Sequence, residues 1–215
     1  MLLIITGIIT SYLVGSIPTA YLFVRILKGE DIRRIGSGNV GATNASRILG
    51  KKLGFLILGL DILKGVIPTV FLADIICLGV PYAFNTTLLR IALGLCCICG
   101  HNWPVFLKFK GGKGVATTIG VLLGFAVKIH GLWQIFGLVI LSWVVIFAIT
   151  KIVSAASILA ALSLPVFVII AKQSHTILFS SLLISGLIIL RHSPNIKRLV
   201  QGKEPRFNFK KTSSK

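Results

Sequence analysis

The sequence predicts an all-α integral membrane protein of about seven transmembrane helices, with its N-terminus outside and its C-terminus cytoplasmic. Three observations carry this. Hydrophobic residues make up 55% of the 215 residues and the mean hydropathy is +0.94, more apolar surface than a soluble domain of this size can hide. The apolar residues come in long blocks and not at amphipathic spacing. Basic residues, 23 Lys+Arg against 5 Asp+Glu, flank those blocks. In a soluble chain a net charge of +18 would point first to nucleic acid. Here topology and anionic lipid headgroups account for it, and nucleic acid is not an expected partner.

The first apolar run has no basic n-region and outlasts an h-region, so it reads as a retained helix and not a cleaved signal. It covers roughly residues 2–27, with Pro18 set to kink it. A polar stretch follows, residues 28–52. The second span is residues 53–80 and carries Asp61, Lys64 and Asp74. The third, residues 87–106, ends in Gly100-His101-Asn102-Trp103-Pro104. The fourth to seventh are residues 115–129, 132–150, 152–171 and 176–190, and a basic tail begins at Arg191. No repeat or linker appears. Residues 1–208 read as a single transmembrane domain and residues 209–215 as a flexible basic tail.

Seven spans put the termini on opposite sides. With the N-terminus outside, 19 of the 23 Lys+Arg fall on the inner side and Arg90, Lys128 and Lys172 on the outer. That asymmetry makes the tail cytoplasmic. It also brings three polar motifs, far apart in sequence, to one membrane face.

The first motif is Gly36-Ser37-Gly38-Asn39-Val40-Gly41-Ala42-Thr43-Asn44, followed by Arg47. It contains a formal G-x-G-x-x-G, but no strand precedes it and no βαβ unit surrounds it, so dinucleotide binding is refused. What remains is a loop whose glycines admit a ligand to the backbone, with hydroxyls on Ser37 and Thr43, amides on Asn39 and Asn44, and a planar cation at Arg47. That set suits phosphate. A plain connector with a topology-setting arginine is the alternative.

The second motif is Lys110-Gly111-Gly112-Lys113-Gly114 before an apolar helix. Free N–H groups, the positive end of the helix dipole and the Lys113 charge again favour an anion. A Walker A loop would need Gly at the Leu107 position and Ser or Thr at the Gly114 position, so ATP hydrolysis is unsupported. A tight turn with snorkelling lysines is the alternative.

The third motif is Arg191-His192-Ser193-Pro194-Asn195, continuing through Arg198 to Glu204. His192 can hold or move a proton near neutral pH. Asn195 can orient a donor or acceptor. Glu204, the one acid in the tail, suits holding a cation in place. Asp61 and Lys64, at i and i+3, can pair inside the membrane, either as part of a pathway or as packing. His101 can cap its helix or line the site. Cys96 and Cys99 form Cys-x-x-Cys with no second pair to complete a zinc site, and no disulfide is expected. No metal and no cofactor are called for.

The three motifs in this order resemble the bacterial acyl-phosphate:glycerol-3-phosphate acyltransferase family (the PlsY family). Gly15-Ser16-Ile17-Pro18 and the Asp61–Lys64–Gly65 set fit as well, so the resemblance covers nearly the whole chain. It implies transfer of a fatty acyl group from acyl phosphate to the 1-hydroxyl of sn-glycerol 3-phosphate, giving lysophosphatidic acid and inorganic phosphate, the first acylation of phospholipid biosynthesis. It implies a multi-pass protein of the bacterial cytoplasmic (inner) membrane with its active site facing the cytoplasm. A mixed anhydride is already activated, so positioning and charge stabilisation can supply the catalysis. On this basis Ser37, Arg47, Lys113, His192 and Asn195 are the expected catalytic set. Gly36, Gly38, Asn39, Thr43, Asn44, Gly111, Gly112 and Gly114 are expected to bind substrate, and Glu204 to be structural. Expected partners are the two substrates, membrane lipid and, as one of three open routes for the donor, the enzyme that forms acyl phosphate. The competing class is a transporter of a small organophosphate anion.

Overall fold

The computed structural model describes residues 1–79 and 85–207. These residues form eleven α-helices and three short 3-10 or π turns, with no strand among them. The expected basic tail at residues 209–215 lies outside the described residues. Two compact units divide the chain, Met1–Trp133 and Gln134–Lys215.

Five stretches are long and apolar enough to cross a membrane: Leu2–Lys28, Lys51–Leu78, Thr86–Leu107, Leu132–Thr150 and Val153–Ile170. A sixth candidate is His175–Arg191 with Ser193–Val200, bent by 64°. The expected fourth span is an apolar helix of only 14 residues, Val115–Lys128. At 1.5 Å per residue it reaches about 21 Å, against a hydrocarbon core of about 30 Å. By length and composition, the described residues therefore hold five to six spans.

In the first unit, α1 (Leu2–Ser16) and α2 (Thr19–Lys28) are one apolar run broken at Ile17 and Pro18. Proline has no N–H to continue the helix. Then come α3 (Ala42–Leu49), α4 (Lys51–Ile67), a π turn at Pro68–Leu72, α5 (Ala73–Leu78), α6 (Thr86–Asn102) and α7 (Val115–Lys128). Helix α1 packs on α6 and α4 on α7. Small residues make both contacts, because helices in lipid associate by close backbone approach. A Cβ on Gly100 would strike the Tyr12 carbonyl and lie 2.9 Å from the Ser16 nitrogen. Across α4 and α7, a Cβ on Gly65 would strike the Thr117 carbonyl, and one on Gly120 the Ile62 carbonyl. Ser11 Oγ of α1 also donates to the Leu93 carbonyl of α6.

The π turn explains the buried Arg90. Pro68 disturbs the ladder of α4, and Arg90 donates to the Thr69 carbonyl at 2.7 Å. Asp74 pairs with both Arg90 and Lys128, tying α5, α6 and α7 together.

The second unit holds most of α8 (Leu132–Thr150), then α9 (Val153–Ile170), α10 (His175–Arg191) and α11 (Ser193–Val200). Pro165 lies inside α9 and cannot donate to the Ala161 carbonyl four residues earlier. Ser185 Oγ of α10 donates to that carbonyl instead, at 2.6 Å. A freed backbone group in a membrane helix is thereby satisfied by its neighbour. Trp143 Nε1 donates to Ser157 Oγ at 3.1 Å, which ties α8 to α9.

Candidate active site

The first motif is built around one side chain. Asn44 is buried. Its Nδ2 lies 3.3, 3.0 and 3.2 Å from the carbonyls of Ile32, Ile35 and Asn39, and its Oδ1 accepts from Ser37 N at 3.0 Å. The Asn44 amide thus holds the loop in shape. Gly36 and Gly38 take positive φ, +61° and +70°, which favours glycine there. The chain turns helical at Ala42, so Arg47 stands in the last turn of α3 and not in the loop. Ser37, Gly36 and Arg47 are exposed, and Asn39 and Thr43 are half-buried. Just upstream, Asp31 caps the 3-10 turn Ile32–Arg34. The Arg33 hydrogen bond prevails over burial and holds the Asp31 carboxyl down at about 2.

The second motif lies against the first. Gly112 N donates to the His101 carbonyl at 3.1 Å. A Cβ on Gly112 would strike His101 Nε2 and lie 2.6 Å from the Val40 carbonyl oxygen of the first motif. Only glycine allows that approach. Gly111 is wedged likewise between Pro104 and the backbone of His101 and Asn102. Gly114, at φ +75°, is the N-cap of α7, so the loop ends on the free N–H groups of a helix N-terminus. Lys113 between them is half-buried.

Beneath these loops lies a buried ionic cluster. Lys64 Nζ is 2.8 Å from Asp61 Oδ1, and both side chains are under a tenth exposed. Lys64 also donates to the Ile17 carbonyl at 2.9 Å, and Thr19 Oγ1 donates to Asp61 at 2.6 Å. The kink at Pro18 supplies that carbonyl. His101 Nδ1 stands 3.8 Å from the same Asp61 oxygen. A buried pair of this kind is held by its partners, and removing one of them costs about 3–5 kcal/mol.

The third motif, in the second unit, forms where α10 gives way to α11. Pro194 bars continuation of α10, and His192 is both C-cap of α10 and N-cap of α11. His192 is 2% exposed. Its Nδ1 is 2.8 Å from the Ile188 carbonyl. A carbonyl only accepts, so Nδ1 carries a proton towards it. Asn195 Nδ2 donates to Glu204, while its Oδ1 is buried without a hydrogen-bond partner among the described residues. Glu204 also accepts from Ser154 Oγ and Arg198 Nε, both at 2.7 Å. Burial pushes the Glu204 carboxyl up, but these three hydrogen bonds and the Arg198 charge outweigh it and hold the group below its ordinary value. Ser154, at the start of α9, carries no motif that the sequence could have flagged. His101 and the Asp61–Lys64 pair did carry a signal, in the i, i+3 spacing and the Gly-His step before the second motif. Among the described residues no group of three or more His, Cys, Asp or Glu could hold a metal ion.

Comparison with known proteins agrees with this picture. The family described as Glycerol-3-phosphate acyltransferase matches residues 5–202. A protein of that name from Prochlorococcus marinus (strain NATL1A) is 42% identical over 200 residues, 91% of this chain and 93% of that one. Another from Aquifex aeolicus (strain VF5) is 41% identical over 200 residues, 93% and 97% of the two chains. Among solved structures, PlsY (YgiH), an integral membrane glycerol 3-phosphate acyltransferase, matches in its glycerol 3-phosphate form with TM-score 0.82 and 40% identity, over 95% of this chain and 96% of that one. Its lysophosphatidic acid form matches with TM-score 0.79 and 38% identity, over 95% of each chain. This all-α chain is therefore an integral membrane member of the glycerol-3-phosphate acyltransferase family.

Proposed function

We propose that this protein transfers a fatty acyl group from acyl phosphate to the 1-hydroxyl of sn-glycerol 3-phosphate. The observation that carries the acceptor is the likeness, at 40% identity over 95% of the chain, to a structure in its glycerol 3-phosphate form; the related lysophosphatidic acid form supports the product. The acyl phosphate donor rests on the resemblance of the three motifs. In the reaction the C1 hydroxyl oxygen bonds to the acyl carbonyl carbon, the bond from that carbon to the phosphate oxygen breaks, and inorganic phosphate leaves. The hydroxyl proton passes to a base.

The residues take these roles in the proposal. Ser37, Arg47 and Lys113 bind phosphate together with the Gly111–Gly114 loop, whose Gly112 N–H is held by the His101 carbonyl, and Gly36, Gly38, Asn39, Thr43 and Asn44 shape and line that phosphate site. Two loops lying against each other, with the Lys113 cation in one and Arg47 following the other, suit two anionic substrates. His192 and Asn195 position the hydroxyl or assist its deprotonation, with the acceptor's own phosphate as the alternative base. Glu204 keeps Asn195 and Arg198 in place. Residues 1–208 act as one acyltransferase module, in keeping with a family match that runs through residues 5–202. We place it in the bacterial cytoplasmic membrane with seven spans, the N-terminus outside and the motifs facing the cytoplasm, on the distribution of Lys and Arg.

The test uses the purified protein in detergent with palmitoyl phosphate and labelled glycerol 3-phosphate. Labelled lysophosphatidate formed without added metal is the expected result. Absence of product, with uptake of the label into sealed vesicles, would replace the enzyme with a transporter.

A further inference from the structure

We propose that His101 is the positioning residue of the glycine-rich loop, held in turn by the buried Asp61–Lys64–Thr19 cluster, and that acceptor affinity depends on it through that loop. The inference rests on the phosphate role proposed for Gly111–Gly114.

His101 touches the loop twice. Its carbonyl accepts from Gly112 N at 3.1 Å, and its ring lies where a Gly112 side chain would be, with Nε2 against that position. The other edge of the ring faces the cluster, Nδ1 at 3.8 Å from Asp61 Oδ1. Asp61 is itself fixed from two further sides, by Thr19 at 2.6 Å and Lys64 at 2.8 Å. Lys64 reaches on to the Ile17 carbonyl at the break between α1 and α2. The chain of contacts thus runs from that break through α4 and the end of α6 into the loop.

A brace between helices would need Asp61, Lys64, Thr19 and Ile17 alone, since the lysine already neutralises the aspartate. The histidine adds nothing to that balance, yet it stands between the cluster and the loop. Only a narrow crevice, lined in part by Ser16, Thr19, Lys64, His101 and Gly111, lies beside the loop. The imidazole stands between the carboxylate and the glycine. Phosphate sites built from backbone N–H groups need those groups held in place before the ligand arrives, because an aligned donor costs no reorganisation on binding. On this reading the ring fixes the height of Gly112 above the cluster.

The experiment measures KM and Kd for glycerol 3-phosphate, and kcat, on detergent-purified wild type, His101→Ala, His101→Gln and Thr19→Val. Gel filtration and the thermal midpoint establish that each is folded. His101→Ala should raise both KM and Kd for glycerol 3-phosphate by roughly tenfold, with kcat at saturating acceptor within about threefold of wild type. His101→Gln, which keeps a polar group near the Nε2 position, should recover part of that loss. Thr19→Val loosens Asp61 without touching the loop and should raise KM by about two- to fourfold; it carries the test if His101→Ala does not fold. A lowered thermal midpoint with unchanged KM and Kd would overturn the inference in favour of a helix brace. A collapse of kcat at unchanged KM would overturn it by moving the ring into the chemistry. A wild type that neither binds nor acylates glycerol 3-phosphate defeats the function on which the inference rests, whereas a wild type that does both beside variants of wild-type Kd defeats this inference alone.

Discussion

At the scale of single residues, the proposed function separates groups assigned to the ligand from groups that hold those in place. Ser37 and Arg47 are exposed, while Asn44 behind them is buried and bonded four times to its own loop. His192 Nδ1 is held by the Ile188 carbonyl, while Glu204 gathers Ser154, Asn195 and Arg198. Gly112→Ala would put a methyl on His101 Nε2 and the Val40 carbonyl, so it should raise KM for glycerol 3-phosphate by roughly tenfold or more, with a smaller effect on kcat. His192→Ala should do the reverse, and steady-state kinetics on the two variants separates the roles; the opposite pattern exchanges them. Glu204 has a pH signature. Its folded value is lowered below the ordinary 4.5, so its contribution to stability is complete above that value and is lost as pH falls through the folded one. The gap in thermal midpoint between wild type and Glu204→Gln should therefore be widest at neutral pH and close on acidification below about 4.5. A gap that stays constant with pH would show that the charge is not what holds the motif. The residue types of this site were legible in the sequence because glycines, amides and lone cations are rare in so apolar a chain. The bonds of Asn44 were not, since they depend on where Ile32, Ile35 and Asn39 return to meet it.

At the scale of elements, the helices follow from apolar block length and their contacts from small residues. Leu132–Thr150 coincides with the expected span, and Pro18 breaks the first run where a proline must. The π turn at Pro68–Leu72 was not legible, because what stabilises it comes from elsewhere. Arg90, twenty residues away, answers the carbonyls of the π turn. Glycines in one helix then differ in a way that only packing reveals. Gly59 and Gly65 both lie in α4, yet a Cβ on Gly59 meets nothing within 4 Å while one on Gly65 strikes the Thr117 carbonyl of α7. Gly65→Ala should destabilise by about 1–3 kcal/mol through overpacking against backbone that cannot move aside. Gly59→Ala should be neutral or stabilise by up to about 1 kcal/mol, since alanine loses less entropy in a helix. Thermal midpoints in one detergent compare the two, and equal midpoints would mean that α4 and α7 do not cross as closely as described.

For the whole molecule, charge and length together make a prediction about depth in the bilayer. The proposed topology places Lys108, Lys110 and Lys113 on the cytoplasmic side before α7 and Lys128 on the outer side at its end. Helix α7 spans only 14 residues, about 21 Å, and so falls roughly 9 Å short of a core about 30 Å thick. One of its ends must then sit inside the slab, or the bilayer must thin around it. At the outer end, Lys128 is paired with Asp74 and its side chain remains 30% exposed, which suits an interface. The Gly111–Gly114 loop is then the end that lies deeper, which in the proposed function brings the acceptor it binds close to a lipid-tailed donor whose chain stays in hydrocarbon. The prediction has two parts, both read in cells. A reporter that matures only in the cytoplasm should be active when fused after Lys215 and silent when fused before Met1; the reverse would overturn the topology. A nitroxide introduced at Ala116, in the first turn of α7, should be relaxed more strongly by oxygen than by a water-soluble nickel chelate, whereas one at Lys28 should show the opposite. Equal aqueous access at the two positions would mean that the glycine-rich loop stands in water, and the acyl donor would then have to leave the hydrocarbon to react.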